Sequence, residues 1–100
     1  MAQRDKGGRY SITQNDAEMA RLMSFAQAAD GHARDGLGRV GVGRGWKAID
    51  VGCGPVGALL TLADLCGPEG AVLGLDMDKL SLQRARGILD HQGLEWVQLV

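Results

Sequence analysis

The sequence predicts an α/β fold built on a parallel sheet, in the order β-α-β-α-β, preceded by an N-terminal helix. Three short runs of near-continuous apolar residues are typical of strands buried on both faces. Two stretches with helical spacing separate these runs, and strands that alternate with helices form parallel sheets through right-handed crossovers. The predicted strands are 46–51, 71–76 and 94–100, and the predicted helices are 58–66 and 78–93.

The residues before the sheet, 1–45, are predicted to comprise an arm, a helix and a glycine-rich linker. Residues 1–12 are polar, with Gly7-Gly8 as the loosest point of a mobile arm. Asn15 and Glu18 form a capping-box pattern, which predicts that the helix begins near Asn15. Six glycines lie between residues 31 and 45 and argue against regular structure there, with a short helical turn around 32–37 left open.

Composition excludes several classes of protein. An apolar content of 45% in 100 residues indicates one small folded domain and excludes a wholly disordered chain. The net charge of −1 gives no sign of a nucleic-acid surface. Cys53 and Cys66 are too few for a disulfide framework. No apolar run approaches the ~20 residues that cross a membrane, and the polar N-terminus lacks the apolar core of a signal peptide. We therefore expect a cytoplasmic protein without a membrane partner and, from its charge, without a nucleic-acid partner.

A glycine-rich loop follows the first predicted strand. Gly52-Cys53-Gly54-Pro55-Val56-Gly57 fits the pattern G-x-G-x-x-G between a strand and a helix. In this setting the pattern predicts a nucleotide-type ligand lying over the helix N-terminus, because glycines allow a tight turn and a close approach. The alternative is a tight turn without a ligand, although three glycines at this spacing exceed what a turn needs.

Asp50 distinguishes between two classes of ligand. A dinucleotide would place its pyrophosphate against the loop, where a carboxylate repels it. S-adenosylmethionine carries an ammonium group and a cationic sulfur, and a carboxylate beside the loop attracts both. Asp50 therefore favours S-adenosylmethionine over a nicotinamide or flavin cofactor, with an aspartate that only caps or stabilises the turn as the alternative.

Asp76 ends the second predicted strand and can accept hydrogen bonds from ribose hydroxyls, a feature that both ligand classes share. Its alternative role is to cap the next helix, but Asp78 is better placed to do so, which would leave Asp76 free. Met77 can lie on the face of an adenine ring through its polarizable sulfur, or simply pack in the loop.

These motifs resemble the N-terminal half of class I S-adenosylmethionine-dependent methyltransferases. The stretch VGCGPVG after Asp50 is similar to the first motif of that family, and Asp76 falls on the acid of its second motif. The resemblance implies a Rossmann-like three-layer fold and a cofactor site formed by Asp50, Gly52, Cys53, Gly54, Gly57 and Asp76, to which Met77 is added for the chemistry of its sulfur. It also implies that Tyr10 reaches over the cofactor, as in small-molecule methyltransferases, and that the acceptor is a small molecule.

The family resemblance implies a larger sheet than these three strands supply. We therefore expect residues 46–100 to be the cofactor-binding half of a truncated methyltransferase domain. One edge of strand 46–51 and one apolar face of the sheet should be uncovered, which would allow self-association.

Few other residues suggest chemistry. Cys53 lies in the glycine loop without a nearby histidine to act as a base, so a small tolerated residue is the preferred interpretation over a nucleophile. His32 and His91 have no metal-ligand spacing, and no metal is predicted. Arg84 and Arg86 are expected to lie on a solvated helix face. A nicotinamide-dependent oxidoreductase and a ligand-binding module without catalysis remain as alternatives, and no catalytic base is identified.

Overall fold

The computed structural model describes residues 4–5, 7–55 and 57–100, with side chains described for 16–55 and 57–100. The elements, in order, are β1 (Arg4–Asp5), β2 (Gly7–Gly8), α1 (Arg9–Arg39), β3 (Lys47–Val51), α2 (Leu59–Cys66), β4 (Ala71–Leu75), α3 (Lys79–His91) and β5 (Gln98–Leu99). Strands β1 and β2 form a short antiparallel pair. The remaining strands form a three-stranded sheet in the order β3-β4-β5.

Both pairings in the three-stranded sheet are parallel, which confirms the predicted α/β fold. Asp50 lies opposite Gly74, and Val51 lies opposite Leu75. Gly74 is in turn opposite Leu99 on β5. The carboxyl ends of the strands therefore lie along one edge of the sheet, and the loops that follow β3 and β4 meet there.

The hydrophobic core lies between the sheet and helices α2 and α3. Its buried residues come from both layers: Leu59, Leu62, Ala63, Cys66, Val72, Ala85, Leu89 and Val97, with Cys53 from the loop between them. Gly74 lets these layers approach, because a Cβ at this position would lie 2.9 Å from Leu99 and 3.1 Å from Leu59. Burial of each leucine contributes about 1.5–3 kcal/mol, so the packing of α2 and α3 fixes the position of the loops at the sheet edge.

Helix α1 is longer than the sequence predicts. It runs without interruption from Arg9 to Arg39, so the predicted start near Asn15 is wrong. Asn15 lies inside this helix and therefore does not begin it, and the Glu18 carboxylate pairs with Arg21 at 2.6 Å. Glu18 also lies 3.7 Å from Arg84 of α3, and this contact ties the helix to the rest of the fold.

The expected irregular structure from residue 31 onward is also wrong as far as Arg39. Each glycine in a helix interior costs about 1 kcal/mol relative to alanine. Contacts to α2 help to offset this cost: the buried Thr61 donates to Asp30 at 2.5 Å, and Arg34 donates to Asp64 at 2.7 Å. The helix ends before Gly41, which adopts φ +86°.

The third strand of the sheet is shorter than predicted. Only Gln98–Leu99 is a strand, because residues 94–97 form a turn that Arg86 holds. The Arg86 guanidinium donates to the carbonyl oxygens of Val97 at 2.7 Å and Leu94 at 3.1 Å. The expectation that Arg86 belongs to a solvated helix face is therefore wrong, because two of its donor groups bind backbone carbonyl oxygens and a third binds Asp90.

One face of the three-stranded sheet is uncovered among the described residues. Ile49 and Val51 point away from the helices and are 61% and 78% exposed. Val100, just after β5, is 69% exposed. The expected apolar face is thus confirmed, and within the described ranges β3 is hydrogen-bonded only to β4. Among the same residues, no helix is long and apolar enough to span a membrane.

Candidate functional site

A cleft of about 410 Å³ opens at the carboxyl edge of the sheet. Its lining combines apolar strand ends with the loops that follow them: Val51, Gly52, Leu75, Asp76, Met77 and Val100. The volume falls within the range of about 300–1,000 Å³ that small-molecule sites occupy. Parallel α/β sheets bind their ligands at this edge, so the cleft is the candidate site.

The glycine loop borders this cleft, and three of its glycines have left-handed backbone conformations. Gly52, Gly54 and Gly57 adopt φ of 71°, 62° and 52°, which side chains rarely tolerate. Gly57 is also confined in space. A Cβ at this position would collide with the carbonyl oxygen of Cys53 and would lie 2.6 Å from Oδ2 of Asp50. The loop therefore requires a glycine at 57 for two independent reasons.

Asp50 holds the far end of the loop. Its Oδ2 atom accepts a hydrogen bond from the backbone N–H of Ala58 at 3.0 Å, directly before α2. The turn-stabilising role considered for Asp50 as an alternative is therefore present in the structure. An ionised carboxylate has about four acceptor positions, so this bond does not prevent Asp50 from attracting a cationic group as well.

Asp76 holds the middle of the same loop. Its Oδ2 accepts from the N–H of Gly54, and its Oδ1 accepts from the N–H of Asp78, both at 2.8 Å. The donors from Asp78 and then Gly54 lower the pKa of Asp76 below its usual value of 3.8. Asp78 caps α3 as predicted, through the N–H of Leu80 at 3.2 Å. The expectation that Asp76 is therefore left free is wrong, since both of its oxygens bind backbone donors.

The remaining donors at the start of the loop are used by the sheet. The N–H groups of Gly52 and Cys53 both donate to the carbonyl oxygen of Leu75, at 2.7 and 2.9 Å. Pro55 has no N–H to offer. Gly52, Cys53, Gly54 and Ala58 thus have protein acceptors for their N–H groups, and two of those acceptors are carboxylates.

The Cys53 side chain points away from the cleft, into the core. It is 2% exposed, and its thiol lies near Gly74 of β4. Burial raises the pKa of Cys53, and the negative charges of Asp50 and Asp76 raise it further. A thiol with a raised pKa is a poor nucleophile, which agrees with its interpretation as a tolerated loop residue.

Of the predicted site residues, Gly52, Asp76 and Met77 line the cleft, whereas Asp50, Gly54 and Gly57 lie in or beside the adjoining loop. Met77 is fully exposed and lines the cleft beside Asp76. Tyr10 lies in the first turns of α1, where side chains are outside the described part of the chain. The sequence interpretation missed the apolar walls of the cleft, Val51, Leu75 and Val100. Their position at the ends of predicted parallel strands was the signal that could have identified them.

The chain is similar to methyltransferases of known sequence and structure. It is 37% identical over 67 residues to demethylmenaquinone methyltransferase of Geobacillus stearothermophilus, a match that covers 67% of this chain and 29% of the relative. A candidate rRNA methylase from Clostridium thermocellum superposes with a TM-score of 0.63 and 27% identity, covering 70% of this chain and 38% of that protein. TrmN from Thermus thermophilus superposes with a TM-score of 0.61 and 26% identity, covering 67% and 20%.

These similarities correct one expectation from the sequence. A small-molecule substrate and the absence of a nucleic-acid partner were expected, but a candidate rRNA methylase shares this fold at 27% identity. That expectation is wrong, because the architecture is compatible with a nucleic-acid substrate. A net charge of −1 is a weak guide here, since nucleic-acid binding depends on the local distribution of charge.

The family match covers the sheet and the site. The chain spans less than a third of the length of the curated relative from Geobacillus stearothermophilus. The model of a family described as "Methyltransferase domain" matches residues 43–100, which include β3, the glycine loop and Asp76. The fold agrees with the Rossmann-like architecture of the solved structures. The chain therefore belongs to the methyltransferase domain family, as a class I S-adenosylmethionine-dependent member.

Proposed function

We propose that the chain binds S-adenosylmethionine in the cleft at the sheet edge, as the cofactor-binding part of a methyltransferase. Family membership supports the class of reaction. The cofactor supplies a methyl group on a cationic sulfur, which is already activated for transfer. The work left to the protein is to bind and orient the reacting groups, and orientation alone can account for a large part of the rate.

One observation carries the choice of cofactor: four backbone N–H groups at the glycine loop, those of Gly52, Cys53, Gly54 and Ala58, already have protein acceptors. A pyrophosphate needs free N–H groups at a helix N-terminus. Here the N–H groups of Gly54 and Ala58 bind carboxylates instead, at 2.8 and 3.0 Å. A phosphate beside either carboxylate would be repelled, because the two groups carry charge of the same sign. The site therefore suits a cation.

Among the described side chains, neither Asp50 nor Asp76 forms an ion pair with a lysine or an arginine. The arginines pair with carboxylates elsewhere, such as Arg34 with Asp64 and Arg86 with Asp90. Asp50 and Asp76 bind backbone N–H groups, which are dipoles without net charge. A ligand that carries an ammonium group and a sulfonium would supply the missing positive charge.

The proposed roles of the residues follow from their places around the cleft. Asp50 and the loop from Gly52 to Gly57 would hold the methionine end. Asp76 would accept from the ribose hydroxyls with its remaining lone pairs. Met77, exposed at the rim, would lie on the adenine ring. The Tyr10 side chain would reach over the bound cofactor.

Calorimetric titration with S-adenosylmethionine and with NADH tests the proposal. We expect S-adenosylmethionine to bind and NADH to give no heat of binding. Asp50→Asn should weaken the binding of S-adenosylmethionine by about tenfold, because a hydrogen bond to a charged group contributes about 1.5 kcal/mol or more. Asp35→Asn is the matched control, since Asp35 pairs with Arg39 on the exposed side of α1.

Two results would contradict this account. Tighter binding of NADH than of S-adenosylmethionine would favour a nicotinamide-dependent oxidoreductase. A folded chain, verified by circular dichroism, that binds neither compound would favour a module without catalytic function.

A further inference from the structure

The Asp76 side chain connects the two loops that border the cleft. Its Oδ2 accepts from the N–H of Gly54, in the glycine loop after β3. Its Oδ1 accepts from the N–H of Asp78, in the turn between β4 and α3. Both bonds are 2.8 Å long, which is short for N–H···O bonds and typical of an ionised acceptor. A single carboxylate therefore fixes the separation of two loops that are 22 residues apart.

This carboxylate can bind the loops and a ligand at the same time. An ionised aspartate has about four lone-pair positions, and the two N–H groups use two of them. The same N–H groups lower the pKa of Asp76. At neutral pH the side chain is therefore ionised, and it can accept hydrogen bonds but cannot donate one. Two acceptor positions remain for a pair of hydroxyl donors, without loss of either loop contact.

We propose that Asp76 is a positioning residue for the amino-acid end of the cofactor, in addition to its contact with the ribose. The inference rests on the proposed function, in which the glycine loop holds the methionine end. Gly54 has a left-handed backbone, with φ +62°. In the described structure its N–H is held by Asp76 alone. Removal of the carboxylate frees the loop at this point, even though the methionine end does not touch Asp76.

The two roles of Asp76 predict different responses to two ligands. Adenosine contains the ribose and lacks the amino-acid end, whereas S-adenosylmethionine contains both. If Asp76 binds only the ribose, its loss weakens the binding of both ligands by the same factor, because both make the lost contact. If Asp76 also positions the loop, its loss weakens the binding of S-adenosylmethionine more than the binding of adenosine. The ratio of the affinity for S-adenosylmethionine to the affinity for adenosine then falls.

The experiment measures dissociation constants of adenosine and S-adenosylmethionine for the wild-type chain and for Asp76→Ala. We expect the ratio of the affinity for S-adenosylmethionine to the affinity for adenosine to fall by about tenfold, the usual effect of losing one hydrogen bond to a charged group. Asp76→Asn is the second variant, because its single carbonyl oxygen can keep one of the two loop bonds. Its affinity ratio should lie between those of wild type and Asp76→Ala. If Asp76→Ala does not fold, a lower ratio in Asp76→Asn than in wild type supports the positioning role, and an unchanged ratio overturns it.

Asp78→Ala is the matched control. Asp78 accepts from Leu80 and Ser81 at the start of α3 and makes no side-chain contact with the glycine loop. Its loss should destabilise α3 and leave the ratio of affinities unchanged. An unchanged ratio in Asp76→Ala, or an equal fall in Asp78→Ala, would overturn the positioning role. A wild-type chain that does not bind S-adenosylmethionine at all would instead refute the proposed function, and this inference with it.

Discussion

At the scale of single residues, the site depends on two carboxylates and on the glycines that let them approach the loop. Asp50 and Asp76 bind the N–H groups of Ala58 and Gly54. Gly57 lies against the Asp50 carboxylate, so any side chain there must displace it. The sequence identified these residues from their spacing. It could not identify their hydrogen-bond partners, because those bonds join loops that only the folded sheet brings together.

Gly57→Ala should destabilise the chain and move the Asp50 carboxylate. A left-handed backbone costs an alanine about 1–2 kcal/mol, and the collision with Cys53 and Asp50 adds to it. Gly52→Ala is the control, because Gly52 has φ +71° but nothing within 4 Å of the added Cβ. Urea denaturation should therefore show a larger loss of unfolding free energy for Gly57→Ala. Equal losses would mean that the contact with Asp50 does not constrain the loop.

The lowered pKa of Asp76 predicts how stability depends on pH. A group whose pKa is lower in the folded chain stabilises it above the ordinary value of 3.8 and loses that effect as pH falls through the folded value. Wild type should thus be more stable than Asp76→Asn at about pH 7, and the difference should shrink below about pH 4. Denaturant unfolding at several pH values measures this. A difference that is constant across the range would show that the charge of Asp76 does not stabilise the loop.

At the scale of elements, local pattern predicted β3, α2, β4 and α3 to within one or two residues, because their apolar periodicity agrees with their burial. The failures occurred where long-range contacts override local preference. Arg34 and Leu37 anchor a helix that contains three glycines. Arg86 binds the carbonyl oxygens of a segment that strand propensity alone assigns to β5. Sequence spacing predicts neither the contacts of α1 nor those of Arg86, because both join segments that are brought together only by folding.

The junction of α1 and α2 offers a test of this explanation. Thr61 is buried, and its hydroxyl donates to Oδ1 of Asp30 at 2.5 Å. Thr61→Val keeps the shape and removes the donor, so it should cost about 1.5–3 kcal/mol, as expected for a hydrogen bond to a charged group. Thr61→Ser keeps the hydroxyl and should cost less. If chemical denaturation shows that the valine variant is as stable as wild type, the polar contact does not anchor α1.

At the scale of the whole molecule, the sequence predicted the parallel α/β fold, the place of the cleft and the apolar face that Ile49 and Val51 expose. These features follow from the order of elements and from alternation along strands, which are local properties. The class of acceptor did not follow, because the matched residues 43–100 form the sheet and the candidate site, and no motif among them indicates an acceptor. The division of the chain at residue 45 stays a prediction.

Nuclear magnetic resonance of the backbone amides of Gly54 and Ala58 would show which kind of ligand reaches the glycine loop. Their N–H groups bind Asp76 and Asp50, so the claim is that they are closed to phosphates and respond to a cationic cofactor. Titration with S-adenosylmethionine should shift both resonances to saturation, and inorganic pyrophosphate or NADH should leave them in place. Saturable shifts with pyrophosphate and none with S-adenosylmethionine would contradict the account.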